Sequence, residues 1–143
     1  MARLKLDIPD RFQFYTEMAV RITDLNYGKH LGNDALLSMI HEARVRFLRH
    51  HGFPEEDVGG VGIIMTDVAI LYKAECFYGD TLRIGVGVRD IGKSGCDIVY
   101  LISHKVTGKE VARAKTGIVF FDYANRKVME VPERFSEIFG EHA

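Results

Sequence analysis

The chain has 143 residues, enough for one domain with a real core and too few for two. Hydrophobic residues make up 47% and charged residues 27%, and 19 basic against 20 acidic side chains leave a formal charge of −1. That balance excludes bulk attraction to nucleic acid or to an anionic membrane surface. No apolar stretch approaches the ~20 residues needed to cross a bilayer, and Arg3, Lys5, Asp7 and Asp10 interrupt the start before any signal-peptide pattern develops. Cys76 and Cys96 are isolated thiols without C-x-x-C spacing, so neither a disulfide framework nor a zinc site is expected. The expectation is a single cytoplasmic domain over 1–143, with no membrane and no nucleic-acid partner.

In chain order, residues 12–23 alternate. Phe12, Phe14, Met18, Val20 and Ile22 point one way, and Gln13, Tyr15, Glu17, Arg21 and Thr23 the other, which predicts a strand with one buried face. The polar, glycine-containing run 24–32 follows as a loop. Asn33 then reads as a helix N-cap, its side chain available to the exposed N–H groups of the first turn. Leu36, Met39, Ile40, Ala43 and Phe47 form one stripe at helical spacing, with Leu37 and Leu48 at its edge. Asp34 in the first turn and Arg44, Arg46, Arg49, His50 and His51 in the second half suit the helix dipole. Gly52 and Pro54 end the helix after about 18 residues, roughly 27 Å.

Beyond the helix the pattern returns to strands: 61–75, broken by Thr66 and Asp67; 81–91; 96–106; 110–122; and a short piece at 128–131. Gly79-Asp80, Gly92-Lys93-Ser94-Gly95 and Thr107-Gly108-Lys109 make the turns. Pro132 is placed to open a short terminal helix through Phe139. Turns this short force antiparallel neighbours. The predicted class is therefore α+β, with one long helix across an antiparallel sheet of five to six strands. One helix covers one face of such a sheet, and the apolar strand 61–75 calls for a second subunit, as a homodimer or a dimer of dimers. Asp67 stands out as a carboxylate in that strand, best placed at a sheet edge.

The junction 20–48 carries a resemblance. Asp24, His30, Asn33 and the triplet Glu42-Ala43-Arg44 match, without a gap, the order found in hotdog-fold thioesterases of the 4-hydroxybenzoyl-CoA and acyl-CoA type. Phe77-Tyr78-Gly79-Asp80-Thr81-Leu82 and Ile91-Gly92-Lys93-Ser94 resemble later segments of the same family, and the similarity spans roughly 14–131. The resemblance implies a hotdog fold and hydrolysis of an acyl-CoA or acyl-carrier thioester by water at a subunit interface. No metal and no cofactor are implied, coenzyme A entering only as part of the substrate. Two positions depart from the pattern. Asn26 stands where the family has its second Asp, and Lys29 where it has glycine, with Gly28 one place earlier. An amide cannot take a proton in neutral solution, so the water must be activated by another group.

The expected machinery follows. The helix N-terminus around Gly32 and Asn33 supplies N–H groups for the developing oxyanion. Glu42 ranks first as base, reaching a loop of a partner subunit, against the plainer alternative of an i, i+4 pair with Arg46. Asn26 orients water or carbonyl, or else only shapes the turn. His30 serves as acid–base group or donor, or else caps the loop, and Asp24 positions His30 or stands second as base. Arg89, Lys93 and Ser94 are assigned by resemblance to the coenzyme A nucleotide, although the sequence alone favours a hairpin connection with a solvated Lys93. A hotdog hydratase would carry a P-x-x-P-G stretch, which three scattered prolines cannot form. A non-hydrolytic acyl-binding module, with Asn26 marking lost chemistry, is the remaining alternative.

Overall fold

The computed structural model describes residues 4–140. Five strands, β1 (Phe14–Ala19), β2 (Gly62–Tyr72), β3 (Thr81–Arg89), β4 (Gly95–His104) and β5 (Glu110–Asp122), form one antiparallel sheet in the order β1-β3-β4-β5-β2. The two-residue β6 (Lys127–Val128) pairs with β5. Helix α1 (Asn33–His50) lies on the inner face, and the short helix α2 (Glu133–Phe139) closes one end. This is the hotdog arrangement expected from the sequence, with α2 as a second helix beside the central one.

The periodicities hold where packing is two-sided. On β3 Leu82, Ile84 and Val86 are fully buried, and on β4 Ile98, Tyr100 and Ile102 are. Against them α1 lays Leu36, Met39, Ile40, Ala43, Phe47 and Leu48. The stripe also contains Arg44, which its charge alone would place outside. Its Nε donates to Glu55 Oε2 at 3.1 Å and its Nη1 to the Tyr100 hydroxyl at 3.5 Å, and that hydroxyl shares a 2.8 Å hydrogen bond with Thr116. A guanidinium tolerates burial when its donors are taken up in this way.

Three local expectations are corrected. The first strand ends at Ala19, and residues Ile22–Asp24 form a 3₁₀ turn that leaves Ile22 65% exposed. Glycine, not asparagine, caps α1: Gly32 holds the extended N-cap backbone, and Asn33 is the first helical residue, its Oδ1 accepting the Asp34 N–H at 2.9 Å. Strand β2 stops at Tyr72, three residues short of the predicted end, where the Lys73 and Ala74 N–H groups both donate to Val111 C=O and the regular ladder breaks. Asp67 does lie at the edge, at a β-bulge between Met65 and Asp67, where it accepts from Lys115 Nζ at 2.8 Å.

At the C-terminus of α1 the chain reverses through Gly52, whose φ of +85° suits glycine. There the His51 ring sits against Phe47 and Phe139, at 5.2 and 4.8 Å between centroids. Among the described residues its Nε2 is buried without a hydrogen-bond partner, and burial first, then neighbouring His50, lower its pKa from the ordinary value. With the folded pKa below the unfolded one, the unfolded chain takes up the proton first as pH falls. This contribution to stability is therefore complete above about pH 6.5 and is lost as pH drops through the folded pKa. Melting of wild type and His51→Phe between pH 8 and 5 should show a fall in Tm for wild type that is smaller in the variant.

Candidate active site at the amino end of the long helix

The loop between β1 and α1 is built as a closed turn. Leu25 and Leu31 form an isolated antiparallel bridge, Asn26 N–H donates to His30 C=O at 3.0 Å, and Lys29 N–H donates to Asn26 C=O at 3.0 Å. Lys29 adopts φ +62°, so the residue replacing the family glycine carries the left-handed step. Gly28 leaves room for two side chains to converge. A methyl there would stand 3.0 Å from His30 Nε2 and 3.2 Å from Asn26 Oδ1. Asn26 Oδ1 accepts the Gly28 N–H at 2.9 Å, which leaves the Asn26 amide N–H groups to donate outward. The loop is tied to the segment after β2 by Leu31 N–H to Cys76 C=O at 2.8 Å.

This construction makes a cavity of about 580 Å³ whose lining includes Asn26, His30, Gly32, Asn33, Glu75 and Cys76. Four of the six expected catalytic and oxyanion residues thus share one wall. The Gly32 N–H is already used, donating to Asp24 C=O at 3.0 Å, and the Asp34 N–H is taken by the Asn33 side chain. The Asn33 and Ala35 N–H groups take part in none of the hydrogen bonds among the described residues, and of these two open donors of the first turn it is Asn33 that lines the cavity. The Tyr72 hydroxyl donates to Asn33 C=O at 3.3 Å and so ties the end of β2 to the helix terminus.

Asp24 and Glu42 lie elsewhere. Asp24 is 6% exposed and turned to Arg21, accepting from its backbone N–H at 2.8 Å and from its guanidinium at 3.2 and 3.3 Å. Burial alone would raise the Asp24 pKa, but these hydrogen bonds and the Arg21 charge outweigh it and hold the group below the usual carboxylate value. Asp24 therefore braces the loop and does not orient His30. Glu42 lines a separate crevice of about 440 Å³ between β1 and α1. It accepts from Arg46 at 3.0 Å, the i, i+4 pair, while Arg46 reaches on to Thr16 Oγ1 at 2.8 Å. Within one chain, Glu42 does not join Asn26 and His30.

The carboxylate in the cavity is Glu75, which sequence reading passes over. Its Oε1 stands 3.9 Å from His30 Nε2, while His30 Nδ1 faces Leu31 C=O at 3.3 Å. Nothing in the spacing marks Glu75, 45 residues from His30; the only hint is the polar turn in the run Lys73-Ala74-Glu75 after an apolar strand.

The three residues assigned to the nucleotide are also displaced. Arg89 Nη1 donates to Asp7 C=O at 2.8 Å, Lys93 C=O accepts from Val131, and Ser94 C=O accepts from Phe120. Along β5 the cavity touches Val111 and Ser94 touches Phe120, nine residues or roughly 30 Å apart at the rise of a strand. These groups do not reach the cavity of their own chain.

The model of the thioesterase-like superfamily matches residues 20–139. The chain belongs to that superfamily. Solved structures agree with the fold. A 1,4-dihydroxy-2-naphthoyl-CoA thioesterase from Synechocystis superposes with a TM-score of 0.81 at 21% identity, covering 91% of this chain and 98% of that one. A thioesterase from Thermus thermophilus, complexed with coenzyme A and Zn, gives 0.79 at 21% identity, covering 91% and 99%. A probable thioesterase from Escherichia coli, YbaW, gives 0.75 at 20% identity, covering 86% and 93%. No curated protein is similar enough in sequence to count as a relative.

The cavity floor carries an internal reporter. Burial, with Asp80 as the lesser cause, pushes the Cys76 thiol up to about 11, and burial, with Asp97, pushes Cys96 up to about 12. Both thiols should react slowly with a disulfide reagent at pH 8 in the folded protein and rapidly in denaturant. A ligand seated in the cavity should slow Cys76 further and leave Cys96 unchanged, read by mass spectrometry of the labelled peptides.

Proposed function

We propose that this superfamily member hydrolyses an acyl-CoA, or an acyl-carrier thioester, by direct water attack in the cavity at the amino end of α1. The observation that carries this reading is the meeting there of an unpaired first-turn N–H, an amide donor, an imidazole and a carboxylate. With Nδ1–H donated to Leu31 C=O, His30 presents the lone pair of Nε2 toward Glu75. A water between them loses its proton to His30 as its oxygen bonds to the thioester carbon. The Glu75 carboxylate favours the resulting imidazolium. The carbonyl oxygen, now negative, is received by the Asn33 N–H and the Asn26 amide. Collapse of the tetrahedral intermediate breaks the carbon–sulfur bond, and the imidazolium proton passes to the leaving thiolate. Asn26 thus acts as a donor, which suits an amide where a carboxylate is usual.

A second copy completes the site in this reading. Strand β2 is an eleven-residue edge whose only strand neighbour among the described residues is β5, with Val68 and Tyr72 46% and 53% exposed. An apolar free edge of that length favours pairing with its own copy. Antiparallel pairing of two β2 strands sets the Gly62 end of one beside the Tyr72 end of the other. Ser94 lies near the Gly62 end, since Phe120, whose N–H it receives, pairs with Ile63. The partner's Lys93-Ser94 turn would then return to the cavity mouth, where a nucleotide phosphate would need it. The same two-fold leaves Glu42 as the rival carboxylate, delivered across the seam.

Free thiol release from short, long and aromatic acyl-CoAs tests the reading. His30→Ala and Glu75→Gln should each lower kcat by about 10²–10³-fold, and Asn26→Ala by at least tenfold, while Glu42→Gln stays within twofold of wild type. The opposite order for Glu42→Gln and Glu75→Gln would assign the carboxylate to the seam. Tight acyl-CoA binding without thiol release would establish the binding-module alternative, which the Asn26 departure favours. Val68→Asp should halve the mass in light scattering and weaken kcat/KM with the fold retained by circular dichroism.

A further inference from the structure

The face of the sheet opposite α1 is not bare. Residues 4–13 form neither helix nor strand and lie across it. Side chains alternate along a strand, so Gly85, Gly87 and Arg89 on β3, Val99 on β4 and Arg113 on β5 project outward. Arg89 and Arg113 grip the backbone of the segment, donating to Asp7 C=O at 2.8 Å and to Leu6 C=O at 3.2 Å. Gly85 makes a notch that the Phe12 ring fills, for a Cβ there would stand 2.7 Å from that ring. Gln13 Oε1 accepts the Val88 N–H at 2.8 Å, continuing the ladder of β1 by a side chain. Phe12 meets Tyr15 edge to face at 6.1 Å, and Arg83 lies over the Tyr15 ring at 4.1 Å. Under this cover Val99 is only 2% exposed, although α1 lies on the other side.

Without the segment, that face would offer a flat apolar centre of Gly85, Gly87, Val99 and Leu101. Its rim carries both charges, with Arg113 paired to Glu110 and Lys115 shared by Asp67 and Asp97. An apolar middle with a rim of mixed sign is self-complementary about a two-fold axis, since each cation can meet a copy's anion. A second copy is thus the competitor that the segment keeps away.

We propose that residues 4–13 are a self-docking strap that occupies the outer face of the sheet and closes it to a second copy of the chain. Assembly is thereby confined to the β2 edge, a clause that rests on the dimer reading above.

The test uses the full chain, a chain lacking residues 1–12, full-length Gly85→Val, and full-length Arg89→Ala/Arg113→Ala. Mass is followed by light scattering across a hundredfold range of concentration, and strap docking by the rate of tryptic cleavage after Arg11. The full chain should hold one mass and cleave slowly. The shortened chain should reach twice that mass, and a synthetic peptide of residues 1–13 should restore the original value. Both full-length variants should cleave at least tenfold faster and shift toward the doubled mass. An unchanged mass for the shortened chain at every concentration would overturn the proposal. So would aggregation that the peptide does not reverse, or a doubled mass for the full chain with its strap still protected. Mass and cleavage are read without substrate, so an absence of thiol release would count against the hydrolytic reading alone.

Discussion

The burial of one face of α1 against the inner face of the sheet sets the position of everything else. Leu36, Ile40, Phe47 and Leu48 are essentially without exposure, each worth about 1.5–3 kcal/mol of transfer free energy. That contact fixes the roll of the helix and its height above the strands. Its first turn then has one place to emerge, beside the end of β2 and the segment carrying Glu75 and Cys76. The hydrogen bonds from Tyr72 to Asn33 and from Leu31 to Cys76 act on a geometry the apolar contact has already chosen. The polar chemistry is arranged by an apolar surface some distance from it.

The fold was legible because its signals are local and periodic. Alternation on β3 and β4 and the stripe of α1 reported which way side chains face, and short turns forced antiparallel order. Legibility failed where a residue answers to a distant partner. Arg44 was read only as a charge suiting the helix dipole and as part of the matching triplet, because its partners Glu55, Tyr100 and Thr116 are scattered along the sequence. Ile22 looked buried because alternation extends on paper past the point where a 3₁₀ turn ends the strand. In the candidate site the contiguous loop residues Asn26, His30, Gly32 and Asn33 were found, since one short loop and one helix start hold them together. Glu75 was missed, because only the sheet order brings the end of β2 to that loop. Asp24 and Glu42 were drawn in by resemblance, and in the chain itself each is occupied by a nearby arginine.

The division between the two crevices has a chemical meaning. An ion pair on the surface, such as Glu42 with Arg46, holds its charge in water and costs little to keep. The Glu75 carboxylate is no less open to water, its side chain 66% exposed against 53% for Glu42, and differs instead in its neighbour, an imidazole at 3.9 Å beside a recess lined by Leu36, Cys76 and Val111. There the amide of Asn26 has an advantage over a second acid. Two carboxylates facing one recess would repel each other and raise their own protonation, while an amide donates without adding charge. The exchange of Asp for Asn and the presence of Glu75 are therefore mutually consistent.

The β-bulge at the middle of β2 bears on alignment. A strand pairs equally well with itself in several offsets when its outline is uniform, and each one-residue slip would turn its apolar side outward. The extra residue at Thr66 breaks that uniformity near the centre of the edge, pinned from behind by Asp67 and Lys115. Two such edges brought face to face meet at a landmark, not along a smooth rail, so a mispaired offset would set one kink against a straight partner.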